Sequence, residues 1–416
     1  MKLNLYKKTD NSLIDKKHYE IFIFAILMLE FVILCPGIKD VNSWAFSYYF
    51  LSYQDLGFNS RLLIGSVFKL FSDYISLSGL YWCIIFIATG MNAFVAVILG
   101  KVLRRSTTDK IESLEVFIAL FLASPVSLSF LFGFNNFGRL DMYLIIFTIM
   151  MMICLKNRIL KWFIPLLCIF AMATHQGYFL LYFPAIMIML IYELYKNKFS
   201  KTYLLLCLAT IITAVTSFLY FQFLIPELNF KNAADVVSFL SHRTDYAISL
   251  DVIYIEYFAN IDTWFFAAIE LLKAFAFPYG LCMLVATAPL IIIFLLLWRH
   301  ACKKADDKFS KLIILLCITA PAFSLPLFIG NDWDRWIPAI FLTQFMLLFY
   351  FFDSGFFCVV ESAKKIHAFF HIHYLIFLIV IICLATFIFS DTVFLIFYFM
   401  QKVLVFFSET LASYHA

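Results

Sequence analysis

The stretch SGLYWCIIFIATGMNAFVAVILG, residues 78–100, decides the fold because it carries no charge and is long enough to cross a bilayer as a helix. The basic segment KVLRRSTTDK, residues 101–110, follows it directly. Basic residues concentrate in the cytoplasmic loops of membrane proteins. The two segments together predict a transmembrane helix that ends in the cytoplasm.

The rest of the chain repeats this pattern. Of its 416 residues, 64% are hydrophobic and 14% are charged, whereas about 25% of the residues of soluble proteins are charged. We therefore expect an all-α polytopic membrane protein with about 11–12 transmembrane helices in one transmembrane domain, residues 1–416. The candidate spans are residues 20–38, 78–100, 114–133, 140–155, 162–175, 177–195, 202–225, 277–298, 312–330, 337–353, 371–390 and the more polar 392–408.

The positions of the charges predict the topology. Every second loop is basic, so the net charge of +4 is expected to reflect orientation in the membrane and not a nucleic-acid partner. The tail formed by residues 1–19 is then cytoplasmic. Two long segments lie outside, residues 39–77 after the first span and residues 226–276 after the seventh, and the other outer segments are short turns.

The outer segments also hold most of the remaining polar residues. A charge at membrane depth costs roughly 2.5–3.5 kcal/mol unless it is paired or hydrated. Because four separate turns carry such charges, we expect them to converge on one water-accessible pocket at the outer face. The candidate site residues are Asp40, Asp55, Arg61, Arg139, Asp141, His175, Asp332, Asp334 and Arg335.

The first long segment supplies the candidate bases. Asp40 and Asp55 precede RLLIGSVFKLF, residues 61–71, whose spacing predicts an amphipathic helix in the membrane interface with Arg61 and Lys69 on its polar side. An aspartate in such a loop acts as a general base when it reaches a substrate hydroxyl. The alternative for each aspartate is a helix cap or a solvated loop carboxylate.

Two short turns supply candidate ligands for the substrate. NNFGRLD, residues 135–141, places Arg139 and Asp141 at a helix start, where Arg139 suits phosphate through its planar guanidinium. Asp141 is either a substrate ligand or the N-terminal cap of the next helix. His175, in ATHQGYF, residues 173–179, is either a donor or acid–base group for a phosphate, or a turn histidine bonded to backbone.

The turn GNDWDRW, residues 330–336, packs Asp332, Asp334 and Arg335 between two tryptophans. Tryptophan favours the headgroup level and also stacks on sugar faces. The Asp–x–Asp pair resembles a motif that ligates Mg²⁺ or Mn²⁺ with substrate phosphates, so either cation stays open as a cofactor, but no complete metal site is predicted. In the second long segment, SHRTDY, residues 241–246, is predicted to be a mobile substrate-gating loop.

This pattern resembles the polyprenyl-phosphate-dependent membrane glycosyltransferases with the C-type fold and the O-antigen polymerases. The resemblance rests on Asp40 and Asp55 after the first span, on the interfacial helix beginning SRLLIGS, and on outer turns that bear arginine and histidine. It implies that one of the two aspartates is the catalytic base and that the basic residues of the outer turns hold a lipid-linked phosphate.

The resemblance also implies a place and a role. The protein would lie in a bacterial inner membrane and act in O-antigen, lipopolysaccharide or capsule assembly. It would transfer glycosyl units from an undecaprenyl-(di)phosphate donor to an acceptor glycan at the periplasmic face, in contact with the lipid bilayer and with other polysaccharide-assembly proteins. Two other classes stay open: a transporter or flippase of lipid-linked sugars, and a membrane acyltransferase that uses His175. The scarcity of charges in the middle of the spans favours an enzyme over a carrier.

Overall fold

The computed structural model of the protein describes residues 18–106, 108–133, 136–223, 230–258, 269, 277–329 and 332–389. All regular secondary structure within these ranges is helical. In chain order the α-helices are α1 Tyr19–Leu34, α2 Ser43–Ser47, α3 Tyr53–Leu56, α4 Leu63–Phe71, α5 Leu77–Arg105, α6 Thr108–Leu122, α7 Leu128–Phe132, α8 Asp141–Leu155, α9 Ile164–Thr174, α10 Tyr178–Leu181, α11 Phe183–Lys196, α12 Lys201–Phe223, α13 Ala233–Leu240, α14 Leu250–Tyr257, α15 Phe277–Lys304, α16 Lys308–Thr319, α17 Trp333–Asp353, α18 Phe357–Ile372 and α19 Tyr374–Phe389.

The helices identify a multi-pass membrane protein. Within the described ranges, five helical segments are long and apolar enough to cross a membrane, and α18 with α19 makes a sixth if this pair, bent by 102°, counts as one span. The five segments are Leu77–Arg105, Lys201–Phe223, Leu284–Lys304, Lys308–Leu327 and Arg335–Asp353. The predicted span 392–408 and most of the tail 1–19 lie outside the described residues.

Proline explains why some predicted spans are not single α-helices. The run 114–133 is divided between α6 and α7, and Pro125 lies in the break. The run 312–330 starts as α16 and continues as the 3₁₀-helix Ala320–Ile329, which contains Pro326. Proline lacks the N–H that an α-helix needs and its ring clashes with the preceding turn. Hydropathy alone does not reveal such breaks, because both sides of them are equally apolar.

Helix α17 forms the centre of the protein. In its most apolar window 83% of the residues are buried, against 28% in α12. Around it, α15 packs against α16, α17 and α18, while α9 packs between α8 and α12, and α1 lies along α5. Side chains at the first turn of α17 are therefore inside the protein, which is where the candidate residue Arg335 lies.

Helices α8 and α17 are joined at both of their ends. Asp141, the first residue of α8, contacts Arg335 in the first turn of α17, and Lys156, just after α8, forms an ion pair with Asp353, the last residue of α17. The two helices therefore run in the same direction. Lys156 also shares a cavity with the basic C-terminal end of α5, so the candidate site and this basic end are at opposite ends of α8.

The predicted amphipathic helix is confirmed as α4, which starts two residues later than expected. Gly65 lets α4 cross the chain closely, because a Cβ atom there would lie 2.0 Å from the carbonyl oxygen of Leu51. At the other end of α4, Leu70 and Phe71 are 75% and 86% exposed. An exposed apolar end of this kind suits contact with lipid.

The two long segments between helices pack on one another as one layer. The backbone N–H of Ile75 donates to the carbonyl of Arg243 at 2.9 Å, and the N–H of Leu77 donates to Asp245 Oδ1 at 2.7 Å. The hydroxyl of Tyr246 donates to the carbonyl of Val41 at 3.0 Å. We call residues 41–77 and 241–257 the loop layer; it covers the same end of the protein as the candidate site.

Candidate functional site

Arg335 is the centre of a buried ion-pair group. Its Nη1 donates to Asp141 Oδ2 and its Nη2 donates to Asp332 Oδ2, each at 2.5 Å. Arg335 and Asp141 are both 8% exposed. Asp332 immediately precedes α17 and its carbonyl accepts the backbone N–H groups of Arg335 and Trp336, so the start of the helix fixes where both charges lie.

Arg139 extends this group on its more open side. Its Nη1 lies 3.4 Å from Asp332 Oδ1, a longer contact than either of those that Arg335 makes. The turn that presents Arg139 depends on Gly138, whose φ of +79° is in the left-handed region that favours glycine. We call Arg139, Asp141, Asp332 and Arg335 the α8–α17 charge cluster.

The cluster keeps Asp332 ionised. Burial alone would raise the pKa of the Asp332 carboxyl, but the charges of Arg335 and Arg139 outweigh burial and hold that pKa below its usual value. Among the described side chains, two arginines, Arg139 and Arg335, thus face two carboxylates, Asp141 and Asp332. The carboxylates thereby orient both guanidinium groups.

His175 lies beside the cluster, in the turn between α9 and α10. Burial holds the pKa of His175 well below its usual value, and the charges of three arginines lower it further: Arg61, Arg335 and Arg139. The charge of Asp332 acts in the opposite direction but is outweighed. The ring is therefore neutral near pH 7. Its Nδ1 accepts the backbone N–H of Gly177 at 2.9 Å, so the proton is on Nε2, which is a hydrogen-bond donor.

Arg61 connects the site to the loop layer. It has a φ of 64°, its backbone N–H donates to the carbonyl of Ala173 at 3.1 Å next to the His175 turn, and its Nη1 donates to the hydroxyl of Tyr48 at 2.9 Å. The same guanidinium forms an ion pair with Glu256 of α14. Arg61 was expected on the polar side of the amphipathic helix; it lies instead in the turn before α4.

Asp55 belongs to a separate group within the loop layer. Its carboxylate accepts from Ser52 Oγ at 2.5 Å, from Lys69 Nζ at 2.5 Å and from Arg243 Nη1 at 2.9 Å. Only 7% of the Asp55 side chain is exposed. A carboxylate that accepts from three donors is fixed in position, so this geometry suits an anchor between the two long segments.

Asp40 is placed differently. It is exposed, in the turn after α1, and its backbone N–H donates to the carbonyl of Gly37 at 2.9 Å. Among the described residues no side chain forms an ion pair or a hydrogen bond with its carboxylate. Of the two predicted bases, Asp40 is thus the one whose oxygens face solvent.

Residues 241–246, which we predicted as a mobile gating loop, make several anchoring contacts in the structure. Arg243 Nη1 donates to the carbonyl of Phe50 at 2.6 Å as well as to Asp55, and 9% of its side chain is exposed. Asp245 is fixed by its bond to the N–H of Leu77. Because a buried arginine needs partners for its charge, this segment is anchored, and His242 is left exposed on it.

The structure therefore brings six of the predicted residues together: Arg61, Arg139, Asp141, His175, Asp332 and Arg335. The side chain of Asp334 and the residue Asn135 lie outside what the structure describes. Within the described part of the chain no three His, Cys, Asp or Glu side chains are grouped as metal ligands. The Mg²⁺ or Mn²⁺ that the Asp–x–Asp pair left open stays a prediction, because the side chain of Asp334 is outside the described residues.

Sequence reasoning missed Glu256 and its partner Tyr48. Tyr48 Oη donates to Glu256 Oε1 at 2.8 Å, and the Arg61 ion pair completes this group. The available signal was a lone carboxylate in the apolar run VIYIEYF, residues 252–258. A charge in such a run needs a partner when the helix is buried, but nothing local identifies that partner.

Several buried polar atoms around the cluster have no hydrogen-bond partner among the described residues. They are Arg61 Nε, Asn136 Oδ1, Gln176 Oε1 and Tyr182 Oη. Tyr182 lies within electrostatic reach of Asp141 and Arg335, and the other three adjoin Arg139, His175 or the loop layer in sequence. A buried polar atom without a partner costs about 1–3 kcal/mol. A polar ligand bound beside the cluster would supply partners for these atoms.

Comparisons of the chain with protein-family models, with curated proteins and with solved structures found no match.

Proposed function

We propose that the protein is a membrane glycosyltransferase of surface-polysaccharide assembly that takes its glycosyl unit from a polyprenyl phosphate or diphosphate. The observation that carries the proposal is a set of buried polar atoms that have no partner among the described residues, beside an oriented arginine cluster at one end of a membrane domain. Donors and acceptors in this mixture suit a ligand that has both anionic oxygens and hydroxyl groups. A sugar phosphate has both.

The cations would hold the leaving phosphate. Arg139 has the longer contact to its carboxylate partner, and Arg61 has a buried Nε without a partner among the described residues. The Nε2–H of neutral His175 adds a donor directed by the Gly177 contact. Preoriented donors of this kind stabilise charge that develops in the transition state. Asp141 and Asp332 would act by positioning Arg335.

Asp40 would be the base. It takes the proton of the acceptor hydroxyl while the hydroxyl oxygen bonds to the anomeric carbon; the bond from that carbon to the phosphate oxygen breaks, and the polyprenyl (di)phosphate leaves as an anion. Asp55 is less suited, because Ser52, Lys69 and Arg243 already donate to its oxygens. We assign Asp55 to holding the loop layer over the site.

We further propose the full topology that the basic loops predict: about 11–12 passes through a bacterial inner membrane, a cytoplasmic N-terminus and a periplasmic site. It is supported by the basic residues at the ends of α5, α8 and α15 and by the position of the cluster at the opposite end of α8. Reporter fusions after residues 235 and 304 test it. Alkaline phosphatase activity in the fusion after residue 304, with none in the fusion after residue 235, would show that the orientation is the opposite one.

Complementation tests the activity. In a deletion strain of the host, Asp40→Asn and Arg139→Ala are expected to lose long-chain or fully decorated surface polysaccharide at normal protein level. Asp251→Asn and Lys231→Ala, which remove exposed charges from extramembrane segments, are the matched controls. A ladder cut to one repeat unit would indicate a polymerase, and loss of one sugar from every unit a single-sugar transferase.

Two outcomes oppose the proposal. Unchanged polysaccharide in both Asp40→Asn and Arg139→Ala would mean that these outer residues have no enzymatic role. Lipid-linked units that stay protected from membrane-impermeant periodate in intact cells of the variants would indicate a transporter instead, because such units have not reached the outer leaflet.

A further inference from the structure

A cavity lies at the end of the protein opposite the α8–α17 charge cluster. It has a volume of about 400 Å³ and lies between α5, α8 and α17, with Leu128 of α7 and Phe121 of α6 also in its wall. Apart from its mouth the lining is apolar. Phe94, Val97 and Ile153, on the rim, are 40%, 37% and 39% exposed, so the cavity opens sideways between α5 and α8.

The mouth of this cavity is positively charged. Lys101 and Arg105 from the end of α5 and Lys156 from the end of α8 line it, together with the single carboxylate of Asp353. Lys156 and Asp353 form an ion pair. Lys101 and Arg105 are exposed and have no ion-pair partner among the described residues, whereas Arg104, between them, is paired with Glu20. Two cations at the mouth are thus available to an anion.

We propose that this cavity binds one acyl chain of an anionic phospholipid, whose headgroup contacts Lys101 and Arg105. Along α5 the lining runs from Phe94 to Arg105, roughly 16 Å at about 1.5 Å per residue. One leaflet of a bilayer is about 15 Å deep, half of a core of about 30 Å. The cavity therefore matches a chain that spans one leaflet.

This length decides between two lipid classes. A polyprenyl chain is far longer than one leaflet is deep, so a cavity that ends at Phe94 accommodates only part of it. The headgroup position also differs, because the α8–α17 charge cluster is at the far end of α8. The lipid site is therefore independent of the proposed transferase reaction, and under the proposed orientation it draws from the cytoplasmic leaflet, which carries anionic lipid.

Native mass spectrometry of the full-length protein in detergent tests the site, with phosphatidylglycerol and phosphatidylethanolamine as probes. The wild type is expected to bind one phosphatidylglycerol at concentrations where phosphatidylethanolamine does not bind. Lys101→Ala/Arg105→Ala is expected to weaken that binding roughly thirtyfold, the combined effect of two charges near an anionic group. Lys303→Ala/Lys304→Ala, which removes two exposed lysines from the end of α15 outside the cavity, is expected to leave it unchanged.

A steric variant separates the cavity from general surface charge. Ile153→Trp fills the opening and is expected to abolish the single phosphatidylglycerol adduct. Ile212→Trp, at a residue of α12 that is 61% exposed, is expected to keep it. Equal binding of both phospholipids by the wild type would overturn the proposal. So would an equal loss of phosphatidylglycerol binding in Lys101→Ala/Arg105→Ala and in Lys303→Ala/Lys304→Ala. Displacement of phosphatidylglycerol from the wild type by equimolar undecaprenyl phosphate would overturn the identity of the lipid.

Discussion

Asp141 and Arg335 are 194 positions apart in the sequence, yet Arg335 Nη1 donates to Asp141 Oδ2 at 2.5 Å. This contact joins the first turns of α8 and α17. Both side chains are buried, and the same arginine holds Asp332. The contact therefore does two things: it closes the centre of the protein at one end, and it orients the guanidinium that stands beside His175. Stability and site geometry depend on the same pair.

Breaking this pair from one side is expected to destabilise the protein strongly. Asp141→Asn leaves a buried arginine with one carboxylate less, and loss of one partner of a buried pair costs about 3–5 kcal/mol. Lys156→Ala breaks the pair at the other end of the same helices, but 37% of the lysine side chain is exposed, so the expected loss is about 1 kcal/mol or less. Thermal unfolding in detergent, monitored by size-exclusion chromatography, gives the Tm of both variants. Similar Tm values for the two variants would contradict this ranking.

Gly65→Ala is expected to destabilise the loop layer. The added Cβ would lie 2.0 Å from the carbonyl oxygen of Leu51 and 2.7 Å from that of Tyr48, and backbone cannot move aside as a flexible side chain can. The control is Gly90→Ala in α5, where nothing lies within 4 Å of the new atom; there alanine should be neutral or stabilising by up to about 1 kcal/mol. Tm and limited proteolysis of the two variants check this. Equal Tm values would mean that α4 shifts without loss.

His175 is expected to make the folded protein sensitive to mild acid. Because burial and nearby arginines keep the pKa of His175 low, the unfolded chain binds more protons than the folded one between that low pKa and about 6.5. The contribution of His175 to the free energy of unfolding is thus complete above about pH 6.5. It falls as the pH falls from about 6.5 towards the lowered pKa of His175 in the folded protein. His175→Asn, whose Oδ1 can still accept the Gly177 N–H, should flatten the decrease in Tm between pH 7 and pH 5. The exposed His242→Asn should not. A parallel decrease in both variants would assign the acid sensitivity elsewhere.

The loop layer is expected to separate when its anchor is removed. Arg243→Ala deletes the donor to Asp55 and to the carbonyl of Phe50, and hydrogen bonds to charged groups contribute about 1.5–3 kcal/mol each. Hydrogen exchange of residues 244–257 should become faster, while exchange in α17 stays slow. His242→Ala, the exposed neighbour, is the control. If exchange is equal in the two variants, the layer is held by its apolar contacts alone.

The sequence predicts the individual helices of this protein better than it predicts the tertiary contacts between them. Apolar runs and basic loops predict helices, and the spacing in residues 61–71 predicts α4, because these signals are local. The 194-residue separation of Asp141 and Arg335 carries no such signal: periodicity says which face of a helix is apolar, not which other helix covers it. For the same reason Arg61 was predicted as a candidate site residue without its partner Glu256, and Pro125 broke a run that hydropathy reads as continuous.

The roles of the two outer aspartates are the sharpest test of the site. Asp55 has three donors inside the loop layer, so Asp55→Asn is expected to lower both Tm and polysaccharide product. Asp40 is exposed, with no partner for its side chain among the described residues, so Asp40→Asn should keep the wild-type Tm and lose product at least a hundredfold, as expected for a missing general base. Asp40→Glu keeps a carboxylate one methylene further out and should retain part of the activity. Full activity of Asp40→Asn with normal protein level would move the base elsewhere. Loss of activity in Asp55→Asn with an unchanged Tm would then assign the base to Asp55, since an anchor whose removal leaves stability intact is not acting as one.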